Sequence, residues 1–186
     1  MIERRKNILL FGILILVLIF FPFLASNYWI RLFTGIFMYG TLAQATNILM
    51  GFSGLVPFGN VVFFGIGAYF TGIAMLSLGF PFFIALVLGA SVCFVFAFVV
   101  GHPVLKLKGH YFAIATMGIS EAIKQIATNV KITRGGMGLN LPLVPLEVNT
   151  SYLFFYFLMF SAMILVTIAA FWISKNRIGY ALRAIM

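Results

Sequence analysis

Long apolar stretches fill most of this chain, and the charged residues lie mainly between them. Hydrophobic residues occupy 63% of the 186 positions and charged residues only 8%, whereas a soluble domain is about 45–50% apolar. One crossing of a bilayer core about 30 Å thick requires about 20 helical residues. Because the sequence supplies apolar segments of that length repeatedly, it predicts an integral membrane protein.

Six segments have the length and composition of transmembrane helices. Their predicted bounds are 7–25, 28–50, 60–78, 81–101, 111–130 and 151–174. The predicted fold class is therefore all-α, a polytopic transmembrane helix bundle of about six spans. The fifth segment is the least apolar, so we expect it to be tilted, interfacial or partly re-entrant.

The basic residues predict that both ends of the chain face the cytoplasm, because Lys and Arg concentrate in the short cytoplasmic flanks of membrane helices. With the N-terminus inside, the cytoplasmic flanks hold Arg4, Arg5, Lys6, Lys106, Lys108, Lys175, Arg177 and Arg183, and the outer flanks hold Arg31, Lys131 and Arg134. This distribution accounts for most of the net charge of +9. We therefore expect a lipid bilayer, and not nucleic acid, as the partner of the charged residues.

Small residues recur on two of the predicted helices. Lipid gives apolar helices no hydrophobic reason to associate, so close contact between them depends on small side chains. The stripe on the fourth segment consists of Ala85, Gly89, Cys93, Ala97 and Gly101, and the stripe on the third consists of Gly65, Ala68 and Gly72. We interpret both stripes as helix-packing surfaces.

The sequence contains no motif for catalysis or for a cofactor. The glycine cluster TRGGMGLN at 133–140 lacks the lysine of a phosphate-binding loop and follows no strand. His102 and His110 are the only histidines, and neither has a nearby acid or thiol in sequence. We expect no enzyme activity, no metal site and no cofactor in this chain, and any ATP to be bound by another protein.

The fifth segment carries Glu121, the only acidic residue inside a predicted span. Lys124, Gln125 and Thr128 follow at helical spacing, so the four polar side chains share one face. A carboxylate facing lipid would be costly, so this face is expected to point into the bundle or toward a second subunit. The alternative is a helix near the membrane interface, where Glu121 and Lys124 pair for solubility alone.

The segment GFSGLVPFGN, residues 51–60, interrupts the helical pattern between the second and third spans. Three glycines and a proline preclude an uninterrupted helix. Transporters often bind their substrates at such breaks, and the alternative is a short surface turn. The polar residues that are candidates for a translocation path are Gln44, Asn47, Ser53 and Asn60 near this break, and Glu121 and Gln125 on the fifth span.

The last residues, KNRIGYALRAIM, form a basic amphipathic stretch on the predicted cytoplasmic side. Arg177, Tyr180 and Arg183 have helical spacing. Its basic residues are either only the flanking charges expected on the cytoplasmic side, or they form a docking site for a cytoplasmic partner.

Four motifs in order resemble those of one family, the membrane permeases of bacterial ATP-binding cassette importers for branched-chain amino acids. They are NILMGFSGLVPFGNVVFFGIGAY at 47–69, LKLKGHYFAIATMGISEA at 105–122, TRGGMGL at 133–139 and RIGYALRAI at 177–185. Two positions depart from the family pattern, since Leu55 and Pro57 stand where many members have glutamine and serine. The last motif is similar to the start of the cytoplasmic helix that contacts the ATPase.

The resemblance implies a single transmembrane permease domain over 1–186, the N-terminal portion of a longer permease in the bacterial cytoplasmic membrane. The implied partners are a second, homologous permease, two cytoplasmic ATPases that Arg177, Tyr180 and Arg183 would contact, and an extracytoplasmic binding protein. Related permeases carry urea or short amides, which leaves a second substrate class open. The sequence also leaves open an ion-coupled carrier that uses Glu121 as its proton site, and a membrane scaffold that does not transport.

Overall fold

The computed structural model describes residues 2–133, 135, 138, 139, 147–176 and 179, with the side chains of 2–11 and 131 excepted. These residues form helices and connecting segments, and no strand occurs among them. The helices are α1 (Ile2–Leu24), α2 (Asn27–Ser53), α3 (Asn60–Ser77), α4 (Phe82–Val104), α5 (His110–Asn129) and α6 (Val148–Lys175). A short 3-10 helix, Lys131–Thr133, follows α5.

The predicted all-α class is confirmed, and the helices coincide with the predicted segments. From α2 onward the largest difference at a helix start is at α6, which begins at Val148 instead of position 151. Among the described residues, α3, α4 and α6 are each long and apolar enough to cross a membrane. That α1, α2 and α5 also cross remains a prediction.

Contacts divide the chain into two compact units, which are described separately. The first unit comprises residues 1–43 and 145–169, and the second comprises 44–144 and 170–186. The core of the first unit consists of Ile30, Phe37, Tyr156 and Phe160. The ring of Phe37 lies 5.2 Å from the rings of both Tyr156 and Phe160. Aromatic side chains therefore supply the packing between α2 and α6.

A proline in α1 leaves one backbone carbonyl without its helical donor, and a side chain of α6 supplies a donor to it. Pro22 lies inside α1 and has no N–H, so the carbonyl of Leu18, one turn earlier, loses its helical donor. The Tyr156 hydroxyl donates a hydrogen bond of 2.7 Å to this carbonyl, and the Tyr156 side chain is fully buried. Membrane helices tolerate proline where a neighbouring helix satisfies the freed backbone group in this way.

In the second unit, α3 and α4 pack through small residues. Ala85 is completely buried. A Cβ atom at Gly89 would lie 2.8 Å from the carbonyl oxygen of Gly67, too close for any side chain there. The Cys93 thiol donates to the carbonyl of Phe63 at 3.1 Å. The backbones of α3 and α4 therefore approach closely at Gly89.

The small residues of the predicted packing surface on α3 have different environments. Gly72 is buried, whereas Ala68 is exposed and the space next to Gly65 is open. The α3 surface that meets Gly89 is formed by Gly67 and Thr71. On α4, Ala97 is half-buried, and the space beside Gly101 is open.

Candidate functional site

The chain between α2 and α3 is non-helical from Gly54 to Gly59, and we call these residues the break. Gly54 has a φ of +68°, a left-handed conformation that ends α2 at little cost for a residue without a Cβ. Its N–H still donates to the carbonyl of Met50 at 3.1 Å. Pro57 then prevents the helix from resuming immediately. The sequence therefore ends α2 and separates it from the start of α3 by a non-helical segment.

The break runs back along the end of α2, so α3 begins in a recess. The amide of Asn60 donates to the Thr46 hydroxyl at 2.6 Å, although α2 continues from Thr46 to Ser53, about 10 Å further. Gly59 lies against Thr116, which is about 9 Å along α5 from its start at His110. The first turn of α3 therefore lies well inside the ends of α2 and α5.

Two hydroxyls of α5 bind the backbone of Phe58. The Phe58 N–H donates to the Thr116 hydroxyl at 3.2 Å. The Ser120 hydroxyl donates to the Thr116 carbonyl of its own helix at 3.0 Å and, at 3.4 Å, to the Phe58 carbonyl. Thr116 in turn donates to the carbonyl of Ala113 at 2.9 Å. Side chains one helical turn apart on α5 thus replace the backbone partners that non-helical chain lacks.

Gly59 makes the closest approach between the break and α5. A Cβ atom at Gly59 would lie 3.2 Å from the Thr116 carbonyl oxygen and 3.3 Å from its Cβ. The backbone φ of Gly59 is −87°, which any residue adopts. Glycine is therefore favoured here by space, not by conformation.

A cavity of about 240 Å³ lies beside the break. Its wall contains two polar side chains, Asn60 and Thr116, and no charged residue. The other residues in its wall are Leu49, Pro57, Gly59, Val62, Phe63, Phe96, Val100, Gly101, Val104, Leu105, Phe112 and Ile119. For scale, an engineered apolar cavity of about 150 Å³ holds benzene. The second unit therefore contains an apolar space large enough for a small organic group.

The path candidates near the break have different environments. Asn60 is half-buried and lies in the cavity wall. Ser53 is half-buried, and its hydroxyl donates to the carbonyl of Leu49 at 2.5 Å, within its own helix. Asn47 is exposed and lies over Gly51, and Gln44 is half-buried. Only Asn60 among these four lines the cavity.

The side chains on the polar face of α5 bond within their own helix. Glu121 and Lys124 are exposed, with a separation of 3.4 Å between carboxylate and ammonium. The amide of Gln125 donates to the same carboxylate at 3.0 Å, and the Thr128 hydroxyl donates to carbonyls of its own helix. These side chains therefore satisfy one another along α5.

The glycine-rich motif after α5 caps that helix. The buried Thr133 hydroxyl donates to the carbonyls of Ala127 and Val130, at 2.5 and 2.6 Å. Gly135 has a φ of +57°, and a Cβ there would lie 2.9 Å from the carbonyl oxygen of Thr128. This part of the motif therefore ends α5 and satisfies its last carbonyls.

Arg177, Tyr180 and Arg183, the predicted ATPase contacts, lie outside the described residues.

Sequence reasoning missed Thr116 and Ser120, the two residues that bind the break. A hydroxyl in an apolar helix usually bonds to its own backbone, so neither residue stands out. The available signal was their spacing of four, which puts both hydroxyls on one face of α5.

Apolar helices long enough to cross a membrane, with a broken segment in a recess, are typical of helical membrane transporters. Residues 28–186 match the family described as "Branched-chain amino acid transport system / permease component". Because this match spans most of the chain, the protein belongs to that family. The resemblance carried by the four sequence motifs is thereby confirmed.

Two relatives give the extent of the similarity. The chain is 32% identical over 128 residues to the high-affinity branched-chain amino acid transport system permease protein LivM of Salmonella typhimurium, covering 68% of this chain and 30% of the relative. It is 32% identical over 137 residues to LivM of Escherichia coli, covering 73% of this chain and 32% of the relative. The match thus spans about a third of the length of these relatives. No solved structure matches this chain significantly.

Proposed function

We propose that the chain is the membrane-spanning part of an ATP-binding cassette importer that moves branched-chain amino acids across the bacterial cytoplasmic membrane. Separate cytoplasmic ATPases hydrolyse ATP, a second homologous permease completes the path, and an extracytoplasmic protein delivers the substrate. The N-terminus lies on the cytoplasmic side. Family membership supports the class of protein, and the recessed break beside an apolar cavity is the observation that carries the transport function.

The depth of the break supports this proposal. Lys106 and Lys108 lie in the connection between α4 and α5 and are expected at the cytoplasmic surface. The contact between Gly59 and Thr116 is about 9 Å further along α5 than that connection. Non-helical backbone at membrane depth is tolerated where it packs on protein or lines a cavity, and transporters bind substrate there. A surface turn would need neither the hydroxyl partners nor the cavity.

Among the path candidates, Asn60 has the most direct support, because it lies in the cavity wall. Gln44, Asn47 and Ser53 line the path in other conformations of the break. Glu121 and Gln125 line it where the second permease covers the polar face of α5. Arg177, Tyr180 and Arg183 dock the ATPase, so Arg183→Glu in the full-length permease is expected to weaken copurification of the ATPase.

The ion-coupled carrier has weaker support. A proton site needs a carboxylate that gains and loses its proton during transport. Glu121 already accepts bonds from Lys124 and Gln125 on its own helix and is exposed. These partners are at least as compatible with a Glu121 carboxylate that stays charged as with one that takes up and releases a proton.

Uptake in vesicles tests the proposal. The permease is purified with the subunits that accompany it, reconstituted, and supplied with binding protein and radiolabelled leucine. We expect uptake to require ATP on the side of the membrane where the ATPases lie. Uptake driven by a proton gradient without ATP would contradict the proposal and support the carrier. ATP-dependent uptake of urea, but not of leucine, would show that the substrates are urea and short amides and not branched-chain amino acids.

A further inference from the structure

A cleft of about 650 Å³ lies in the first unit, where α2 and α6 both begin. The Asn27 amide of α2 donates to the side-chain oxygen of Asn149 in α6 at 2.9 Å, so the two helix ends lie beside each other. The residues in the wall of the cleft are Asn27, Tyr28, Arg31, Leu32, Val148 and Tyr152. Among the described residues, Arg31 is therefore the only charged one in this wall.

The charge of Arg31 is not neutralised within the described part of the chain. Its guanidinium lies 5.7 Å from the centre of the Tyr152 ring, a contact that offsets a positive charge only in part. No carboxylate of the described residues lies within ion-pair distance of it. Of the three acidic residues, Glu121 is paired on its own helix, Glu3 lies near the other end of α1, and Glu147 precedes α6 without lining the cleft. The cleft therefore has a positive charge available to an anion.

The residues around the cleft place it at the level of the lipid headgroups. Tyr28 and Trp29 are both exposed, and exposed Tyr and Trp are enriched at membrane interfaces. The predicted outer flanks hold three basic residues against eight on the cytoplasmic side. Arg31 therefore departs from the charge rule that most of the chain follows, and a ligand at this level would account for it.

An exposed apolar face of α2 continues from the cleft into the predicted span. Leu32 lies in the wall of the cleft. Leu32, Ile36 and Tyr39 are all exposed, and their spacing of four and three puts them on one face of the helix. Inorganic phosphate or a protein carboxylate would contact the cation alone, whereas a phospholipid would also cover this apolar face. The cleft and the face together therefore match an amphipathic anion.

From these observations we infer that the cleft binds the phosphate group of a phospholipid, with Arg31 as its counter-charge. An acyl chain of the same lipid lies along Leu32, Ile36 and Tyr39. The lipid thus bridges the beginnings of α2 and α6, beside the bond between Asn27 and Asn149. This site lies in the first unit, and it does not depend on which substrate the permease carries.

The test measures the affinity of the purified, delipidated permease complex for phosphatidylglycerol by native mass spectrometry. We expect Arg31→Gln to weaken binding about tenfold, the effect of losing one charge-assisted contact, and Arg31→Lys to retain most of the affinity. Val148→Glu puts a carboxylate into the wall of the cleft and should also weaken binding. The matched control is Thr150→Glu, which adds the same charge to an exposed position of the same helical turn outside the wall.

Equal affinity in Arg31→Gln and the unmodified complex would overturn the inference. Equal weakening by Val148→Glu and Thr150→Glu would also overturn it, because the effect would then be one of net charge and not of the cleft. Since Val148 is 66% exposed, this pair decides even if Arg31→Gln does not fold.

Competing ligands separate the possible sources of the anion. Inorganic phosphate should not displace phosphatidylglycerol, and diacylglycerol, which has the chains without the phosphate, should not replace it. Displacement by inorganic phosphate would show a site for a free anion and contradict the lipid. Weaker binding of the extracytoplasmic binding protein to Arg31→Gln, with lipid binding unchanged, would assign the cleft to a protein carboxylate and overturn the inference.

Discussion

The two units bury their helices in contrasting ways. In the first unit, large aromatic side chains fill the contact, and the backbone group freed by Pro22 is satisfied by Tyr156. In the second, glycine and alanine bring α3 and α4 together, and a cavity remains beside a non-helical segment. The two units therefore differ in how their helices meet, through large aromatic rings in the first and through glycine and alanine in the second.

The contrast predicts the largest effect at the glycine contact of the second unit. Gly89→Leu would force a side chain against the Gly67 carbonyl, and neither backbone can yield easily. We expect a loss of about 3 kcal/mol or more in the free energy of unfolding. Thermal unfolding in detergent measures it, with Ala90→Leu on the exposed neighbouring position as control. Equal stability of the two variants would contradict the glycine contact.

A smaller effect is expected where α5 binds the break. Thr116→Val keeps the shape of the side chain but leaves the Phe58 N–H without its partner, at a cost of about 1–3 kcal/mol. Hydrogen exchange of residues 54–59 should become faster, and Thr116→Ser should restore it. Thr128→Val, on the exposed face of the same helix, is the control. Unchanged exchange in Thr116→Val would show that other contacts hold the break.

In the first unit, Tyr156→Phe removes the donor to the Leu18 carbonyl. The expected loss is about 0.6 kcal/mol and at most about 1.7 kcal/mol, the range of hydrogen bonds between membrane helices. Pro22→Ala restores a backbone N–H, so it should offset the loss in the double variant. ATP-dependent leucine uptake should stay unchanged. Additive effects of the two substitutions would contradict the hydrogen bond to Leu18, and a loss of leucine uptake would contradict the contrast between the units.

The smallest effect is expected at the polar face of α5. Glu121→Gln keeps a polar side chain of the same shape at the proposed path and removes only a charge that is exposed and paired on its own helix, so ATP-dependent uptake should remain close to that of the unmodified complex. Uptake by Glu121→Gln is compared with that by Gln125→Glu, which adds a charge to the same face. Abolished uptake in Glu121→Gln alone would revive the ion-coupled carrier.

The sequence predicts the helices well because each is a long apolar run, and most of them are bounded by glycine, proline or charge. It also predicts the break, since Gly54 and Pro57 act locally. The partners of the break could not be predicted, because Phe58 and Thr116 are 58 positions apart and meet only when α5 packs beside the break within the second unit. The close contact of Gly89 with Gly67 and Thr71 could not be predicted either, because the sequence does not say which face of α3 meets α4.

The most direct test of the central claim asks whether substrate reaches the recess. The variant is Asn60→Cys in a Cys93→Ala background, and the working complex is treated with a small water-soluble thiol reagent. The control is Val61→Cys in the same background, at a position where the native valine is 72% exposed. We predict that leucine, binding protein and ATP together slow labelling at position 60 and leave position 61 unchanged. Equal labelling rates at position 60 with and without leucine would contradict the account.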